Sequence, residues 1–243
     1  HRRAGVRLLA MEFLRSRNSE RAGRLVAAAE FDEQLALELF RDGPWPTWGF
    51  REYIDILRAA WKLNRSLPAG AEPLRVVGLD SDWEQYDLWF GGKSERERFE
   101  IQMAREKNMV GVVEAQAFVA KRRTLVYVGF AHTVLCQGVR LGTVLHQKYG
   151  DRIFQVSLQR AETVGKERRP SALTRFLESL HAEHGGVPIG FDVIGAPLAH
   201  LVDSEAPWGQ ALKDPRFAAV NQGYLIIKPL AELHGVAWVK GFV

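Results

Sequence analysis

Short apolar runs alternate with amphipathic stretches along the whole chain. VRLLAMEF (6–13) has the length and unbroken hydrophobicity of a strand buried on both faces. LRVVGLD (74–80), TLVYVGFAH (124–132), RIFQVSLQ (152–159), VPIGFDVIG (187–195) and GYLIIKPL (223–230) repeat the pattern, the last ended by Pro229. Between these runs the period changes to that of a helix. ERAGRLVAAAEFDEQLALELF (20–40) has helical character, and in WGFREYIDILRAAWKLN (48–64) Tyr53, Ile54, Leu57 and Trp61 recur at helical spacing before SLPAGAEP stops it. A long helix is predicted over 94–122, one over 139–150 closing on Gly150, and one over 171–186. Strands alternating with helices predict an α/β fold: a single domain over 1–243, with a mostly parallel central sheet and helices on both faces.

Composition narrows the class without changing it. Of 243 residues 47% are hydrophobic and 26% charged, ordinary for a globular chain. No run approaches the roughly 18–20 apolar residues of a membrane-spanning helix, so no transmembrane segment is expected. The net charge of +4 is mixed along the chain, and the basic clusters at 1–7 and 166–170 read as a chain end and a solvated loop. With no aromatic-interleaved basic stripe, nucleic acid is not an expected partner. The one cysteine, Cys136, excludes an internal disulfide and a cysteine-based metal site. Compartment stays open between cytoplasm and, if a signal preceded His1, the cell envelope. Oligomeric state has no signature.

Three apolar runs carry an ionisable residue at or near their ends: Glu12, Asp80 and His132. In open parallel sheets, ligands bind in the crevice outside the carboxyl ends of the strands, where such side chains converge if the strands are neighbours. Each has a plainer reading. Asp80 opens DSDW and suits a turn cap, and a histidine after a strand often packs in a loop. Glu12, between Met11 and Phe13, needs a cation or donor, because an unpaired buried carboxylate is costly. The long helix supplies a candidate. Phe99, Met103, Val110, Val113 and Ala117 form an apolar seam, which Glu106 interrupts, and Arg105 lies at its edge beside Met109 and Val112. This is either a structural ion pair or an arginine that reaches the crevice.

The order AMEF, a W…WGFREY helix, VVGLD, Arg105-Glu106-Lys107-Asn108-Met109 and Gly129-Phe130-Ala131-His132 resembles the superfamily that joins ChaN-like haem-binding proteins, erythromycin esterases and Tiki/TraB proteins. The early part is most similar to the ChaN branch, while LGTVLHQKYGD is similar to the corresponding segment of esterase-like members. The resemblance spans most of the chain and implies the α/β fold above. The family's earlier Gly-x-x-His, which precedes the glutamate strand, is missing, so the domain is expected to lack its first strand at the N-terminus.

The resemblance implies three functions. The first is hydrolysis of an ester or amide: His132 as general base or metal ligand, Glu12 as base, ligand or orienter, Arg105 at the oxyanion, and Glu106 holding Arg105. Asp80, Trp48 and Tyr53 would line the substrate pocket. No Gly-x-Ser-x-Gly elbow occurs, so activated water is the expected nucleophile, with or without a divalent metal at Glu12 and His132. The second is haem or iron binding without catalysis: Tyr53, Tyr86 and Tyr127 are available, though no feature picks one as ligand, and Trp45, Trp48, Trp83 and Trp89 are pocket wall or core. The third is a degenerate site on a scaffold or partner-binding module.

Overall fold

The computed structural model describes residues 1, 3–43, 48–82, 91–135, 138–159, 163–164, 169–202, 216–233 and 235–242. Trp45, Trp83, Tyr86, Trp89, Cys136 and positions 166–168 of the basic cluster lie outside the described residues. The chain packs as two compact units, one of residues His1–Gly129 with Val236–Val243 and one of Phe130–Gly235.

The first unit holds a three-stranded parallel sheet flanked by helices. Its centre is β1 (Leu8–Arg15), every residue of which is buried. The 20–40 stretch forms two helices, α1 (Ser19–Ala27) and α2 (Glu33–Arg41). Ala28 leaves the first helix with extended backbone (φ −64°, ψ 157°), and Asp32 starts the second by accepting the Leu35 N–H at 2.9 Å. Next come α3 (Arg51–Arg65), β2 (Arg75–Asp80) and α4 (Glu95–Val113), the last opened by a reciprocal capping box between Ser94 and Glu97. A π-helical segment, Glu114–Val119, ends α4, and β3 (Thr124–Tyr127) completes the sheet in the order β2–β1–β3, all parallel. Leu9, Met11 and Phe13 of β1 pack with Leu25, Leu39, Phe40, Ile54 and Leu57 from α1–α3. Each fully buried side chain of this kind contributes about 1.5–3 kcal/mol relative to exposure.

The face of α4 that packs inward is the charged one. Its buried residues are Arg105, Glu106, Met109 and Val113, whereas Phe99 of the expected seam is 62% exposed. Periodicity alone ranks Phe99 above Arg105, but carboxylates at the strand ends reverse that order.

The end of the chain returns to this unit. Phe50 and Trp238 form an antiparallel bridge, Arg51 N–H donates to the Ala237 carbonyl at 2.8 Å, and Val239 N–H donates to the Gly49 carbonyl at 2.8 Å. Arg41 donates to the carbonyls of Gly241 and Phe242 at 2.7 and 3.0 Å, and the Phe242 ring lies against Gly49.

The second unit opens with a one-turn helix, α5 (Phe130–Thr133), then α6 (Leu141–Tyr149), which ends on Gly150 with φ +53° as expected. Strand β4 (Val156–Leu158) follows, then a two-stranded antiparallel pair, β5 (Thr163–Val164) and β6 (Arg169–Pro170). Then come α7 (Ala172–Glu183), β7 (Ile189–Asp192), α8 (Phe217–Val220) and β8 (Gly223–Ile226). Its main sheet has the order β4–β8–β7, with β4 parallel and β7 antiparallel to β8. Leu173 and Leu177 of α7 pack with Val193, Phe217, Tyr224 and Ile226.

Candidate active site at the carboxyl edge of the first sheet

The site begins with a change of register. Between Met11 and Arg15, β1 advances four residues while its partner β2 advances two, from Gly78 to Asp80. Extra residues of this kind bend a strand and re-aim its side chains, and they recur beside active sites. Glu12 lies in this bulge. Gly78 makes it feasible: a Cβ there would stand 2.2 Å from the Arg15 carbonyl oxygen and 2.5 Å from that of Leu14. The bulged end of β1 crosses over a position where only glycine fits.

Arg105 of α4 reaches the carboxyl ends of both strands. Its Nε donates to Asp80 Oδ1 at 2.8 Å and its Nη2 to Asp80 Oδ2 at 2.7 Å, a two-pronged pair at the end of β2. The same Nη2 donates to Glu12 Oε1 at 2.5 Å. Asp80 is fully buried, and Glu12 and Arg105 are each 4% exposed. Burial by itself would lower the guanidinium's pKa, but Asp80 and Glu12 outweigh it and hold the group above its ordinary range, firmly charged. Two carboxylates against one guanidinium leave the trio with one formal negative charge. Asn108, three residues on, donates its side-chain N–H to the Leu79 carbonyl at 2.8 Å, so one face of α4 grips the last two residues of β2. Asp80 also fills the role of its plainer reading, since its Oδ1 accepts the Ser81 N–H at 2.8 Å.

The second oxygen of Glu12 points to the next strand. Glu12 Oε2 accepts the Gly129 N–H at 2.6 Å, the first residue of the Gly-x-x-His motif. Both carboxylate oxygens are therefore hydrogen-bonded. Among the described residues, no group of three or more His, Cys, Asp or Glu side chains is arranged to hold a metal ion. A metal at Glu12 would have to compete with Arg105 and the Gly129 N–H, and the donor set does not fit one.

Phe13, the next residue of β1, organises an aromatic group. Tyr53 stacks on it with centroids 4.3 Å apart, Trp48 meets it edge-on at 5.0 Å, and Tyr127 meets it edge-on at 5.2 Å. Tyr53 sits on the first turn of α3, and Tyr127 ends β3. Tyr53 resists ionisation because it is buried and because Tyr127, Glu12 and Glu52 are near. Tyr127 does so through burial, then Glu12 and Glu52.

The structure thus joins Glu12, Asp80 and Arg105 directly, and places Trp48 and Tyr53 in the adjoining aromatic group. Glu106 is buried beside Arg105 in sequence, 1% exposed, while Asp80 and Glu12 are the carboxylates at the Arg105 fork. His132 is 6% exposed and belongs to α5, because the strand stops at Tyr127. Within the second unit, α6 braces that turn. Thr143 Oγ1 donates to the Val134 carbonyl at 2.6 Å, and a Cβ on Gly142 would stand 2.3 Å from the Thr133 carbonyl oxygen. Sequence reasoning missed Phe13, the Asn108 bond and the Gly129 N–H, and offered Tyr127 only as one of three tyrosines available to a haem pocket.

No family model and no curated protein matches this sequence. Solved structures with a similar fold include a single-substitution mutant of the erythromycin esterase EreC in its open conformation: TM-score 0.63, 10% identity, over 100% of this chain and 86% of the other. A Bacillus cereus protein gives 0.57 and 11% identity over 94% and 82% of the two chains. A succinoglycan biosynthesis protein gives 0.52 and 8% over 94% and 81%. At this identity the likeness concerns the fold. The chain has an α/β fold of the erythromycin esterase-like kind, as the order of its motifs implied.

Proposed function

We propose that the protein hydrolyses an uncharged ester or amide, with Glu12 as the group that accepts a proton from the attacking water. The observation that carries this reading is the setting of Glu12. It is a buried carboxylate in a β-bulge, held on one oxygen by Arg105 and on the other by the Gly129 N–H. A general base must be oriented before it is useful, and here Arg105 and the Gly129 N–H orient the carboxylate. Asp80 positions Arg105, and Arg105 positions Glu12. The formal negative charge of the trio disfavours an anionic substrate.

In this reading water adds to the carbonyl carbon as its proton passes toward Glu12. The tetrahedral intermediate then collapses, its C–O or C–N bond breaks, and the proton is delivered to the departing oxygen or nitrogen. The fold likeness to an erythromycin esterase is consistent with hydrolysis but is a likeness of fold.

The test is the rate of p-nitrophenyl butyrate hydrolysis by the wild-type chain and Glu12→Gln. Glu12→Gln should lower kcat by roughly 10²–10⁴-fold, the usual worth of a positioned acid–base group. Glu12→Gln matching the wild type would end the assignment. A Soret shift on adding haemin, without hydrolysis, would favour the haem-binding alternative.

A further inference from the structure

Hydrolysis needs donors at the carbonyl oxygen as well as a base at the water. Arg105 was the expected donor, but its Nε and Nη2 face Asp80 and Glu12, and the residue is buried. The aromatic group beside it offers two others. Tyr53 lies at the N-terminal end of α3, the helix that leads into β2, and Tyr127 lies at the C-terminal end of β3. Both positions are at the carboxyl edge of the parallel sheet, and both rings pack on Phe13, the residue next to Glu12. Among the described residues no side chain or backbone group is hydrogen-bonded to either hydroxyl, and neither hydroxyl is one of the enclosed polar atoms left without a partner.

We infer that the Tyr53 and Tyr127 hydroxyls are a pair of donors that receive the carbonyl oxygen of a bound neutral ester, amide or ketone beside Glu12. The inference deepens the hydrolase reading and rests on it for the catalytic role of the pair, though not for its binding role. Burial and the charge of Glu12 keep both phenols protonated, which is the state a donor requires. As negative charge develops on the carbonyl oxygen, donors already in place strengthen without reorganising. The surplus negative charge of the Glu12–Asp80–Arg105 trio separates such a ligand from a carboxylate or phosphate.

Two measurements test this. Tyr53→Phe and Tyr127→Phe keep the rings that pack on Phe13, so both should fold, with circular dichroism and Tm as controls. Each should lower kcat for p-nitrophenyl butyrate roughly a hundredfold with KM little changed. Independently of turnover, the infrared carbonyl stretch of isotopically labelled acetophenone should move to lower frequency on binding the wild-type chain and relax in each variant. No bound band in the wild type, or an equal shift in folded Phe variants, overturns the donor pair. A shift in the wild type with no ester hydrolysis supports the pair and overturns only the hydrolase reading.

Discussion

Asp80 presents both carboxylate oxygens to Arg105, at 2.8 and 2.7 Å, with the aspartate fully buried. Paired buried charges offset much of their own desolvation, but one left alone does not. Arg105→Met should therefore cost about 3–5 kcal/mol, because it takes the guanidinium away from the buried Asp80 and Glu12 carboxylates. Arg105→Lys should recover little of this, since an ammonium cannot reproduce the fork that serves both acids. Urea unfolding measures the loss, and a loss under about 1 kcal/mol for Arg105→Met would show that the trio is not a coupled unit.

Tyr53 and Tyr127 give the protein an alkaline limit. Both have folded pKa values raised above the ordinary 10.0. The folded state therefore holds protons that the unfolded state releases, and the associated stability is fully present below about pH 10 and lost as pH rises through the folded values. Of the five tyrosines in the sequence, these two should ionise only as the protein unfolds. Phenolate absorbance from all five in the still-folded protein would contradict this.

Gly142 keeps α6 close to the turn that carries His132. A methyl group there would meet the backbone oxygen of Thr133 at 2.3 Å, and backbone cannot swing aside as a flexible side chain can. Gly142→Ala should lower stability by about 1–3 kcal/mol, as overpacking does, and should reduce any activity that depends on His132. Thr143→Val, which removes the bond to Val134, should act in the same direction. Unchanged Tm and unchanged turnover in Gly142→Ala would rule out this bracing role.

Phe242 is buried against Gly49, between Trp48 and Phe50 in sequence. Phe242→Ala should cost about 3–5 kcal/mol and loosen residues 48–50, which include the Trp48 contact to Phe13. Thermal unfolding and tryptophan emission report the two effects separately. Loss of stability with emission unchanged would confine Phe242 to packing.

Much of this was legible in the chain, and the remainder failed for identifiable reasons. The apolar runs located β1, β2 and β3, because a strand buried on both faces needs hydrophobic residues continuously. Glu12 and Asp80 stood out because carboxylates are expensive in such runs. Arg105 was harder to place: helical periodicity put it only at the rim of an apolar seam, yet it lies on the buried face while Phe99 is exposed. Its place is decided by Asp80 and Glu12, 25 and 93 residues away in the chain, and no local pattern carries that. The bulge that aims Glu12 was invisible for the same reason, since it depends on Gly78 of the neighbouring strand. The run to His132 reads as one strand, but the ladder stops at Tyr127.

The return of residues 236–242 to Phe50 and Arg41 has a consequence for biosynthesis. The first unit is written in two pieces, and its last hydrogen bonds join residues 200 and 201 positions apart. On the ribosome its parallel sheet is translated early, but its closing segment emerges only after residues 130–235, on the order of 5–20 s later at 5–20 residues per second. During that interval Trp48, Phe50 and the start of α3 lack their final cover. Nascent chains stalled before residue 236 should therefore be protease-sensitive around residues 48–53 and become resistant once residues 236–242 have emerged.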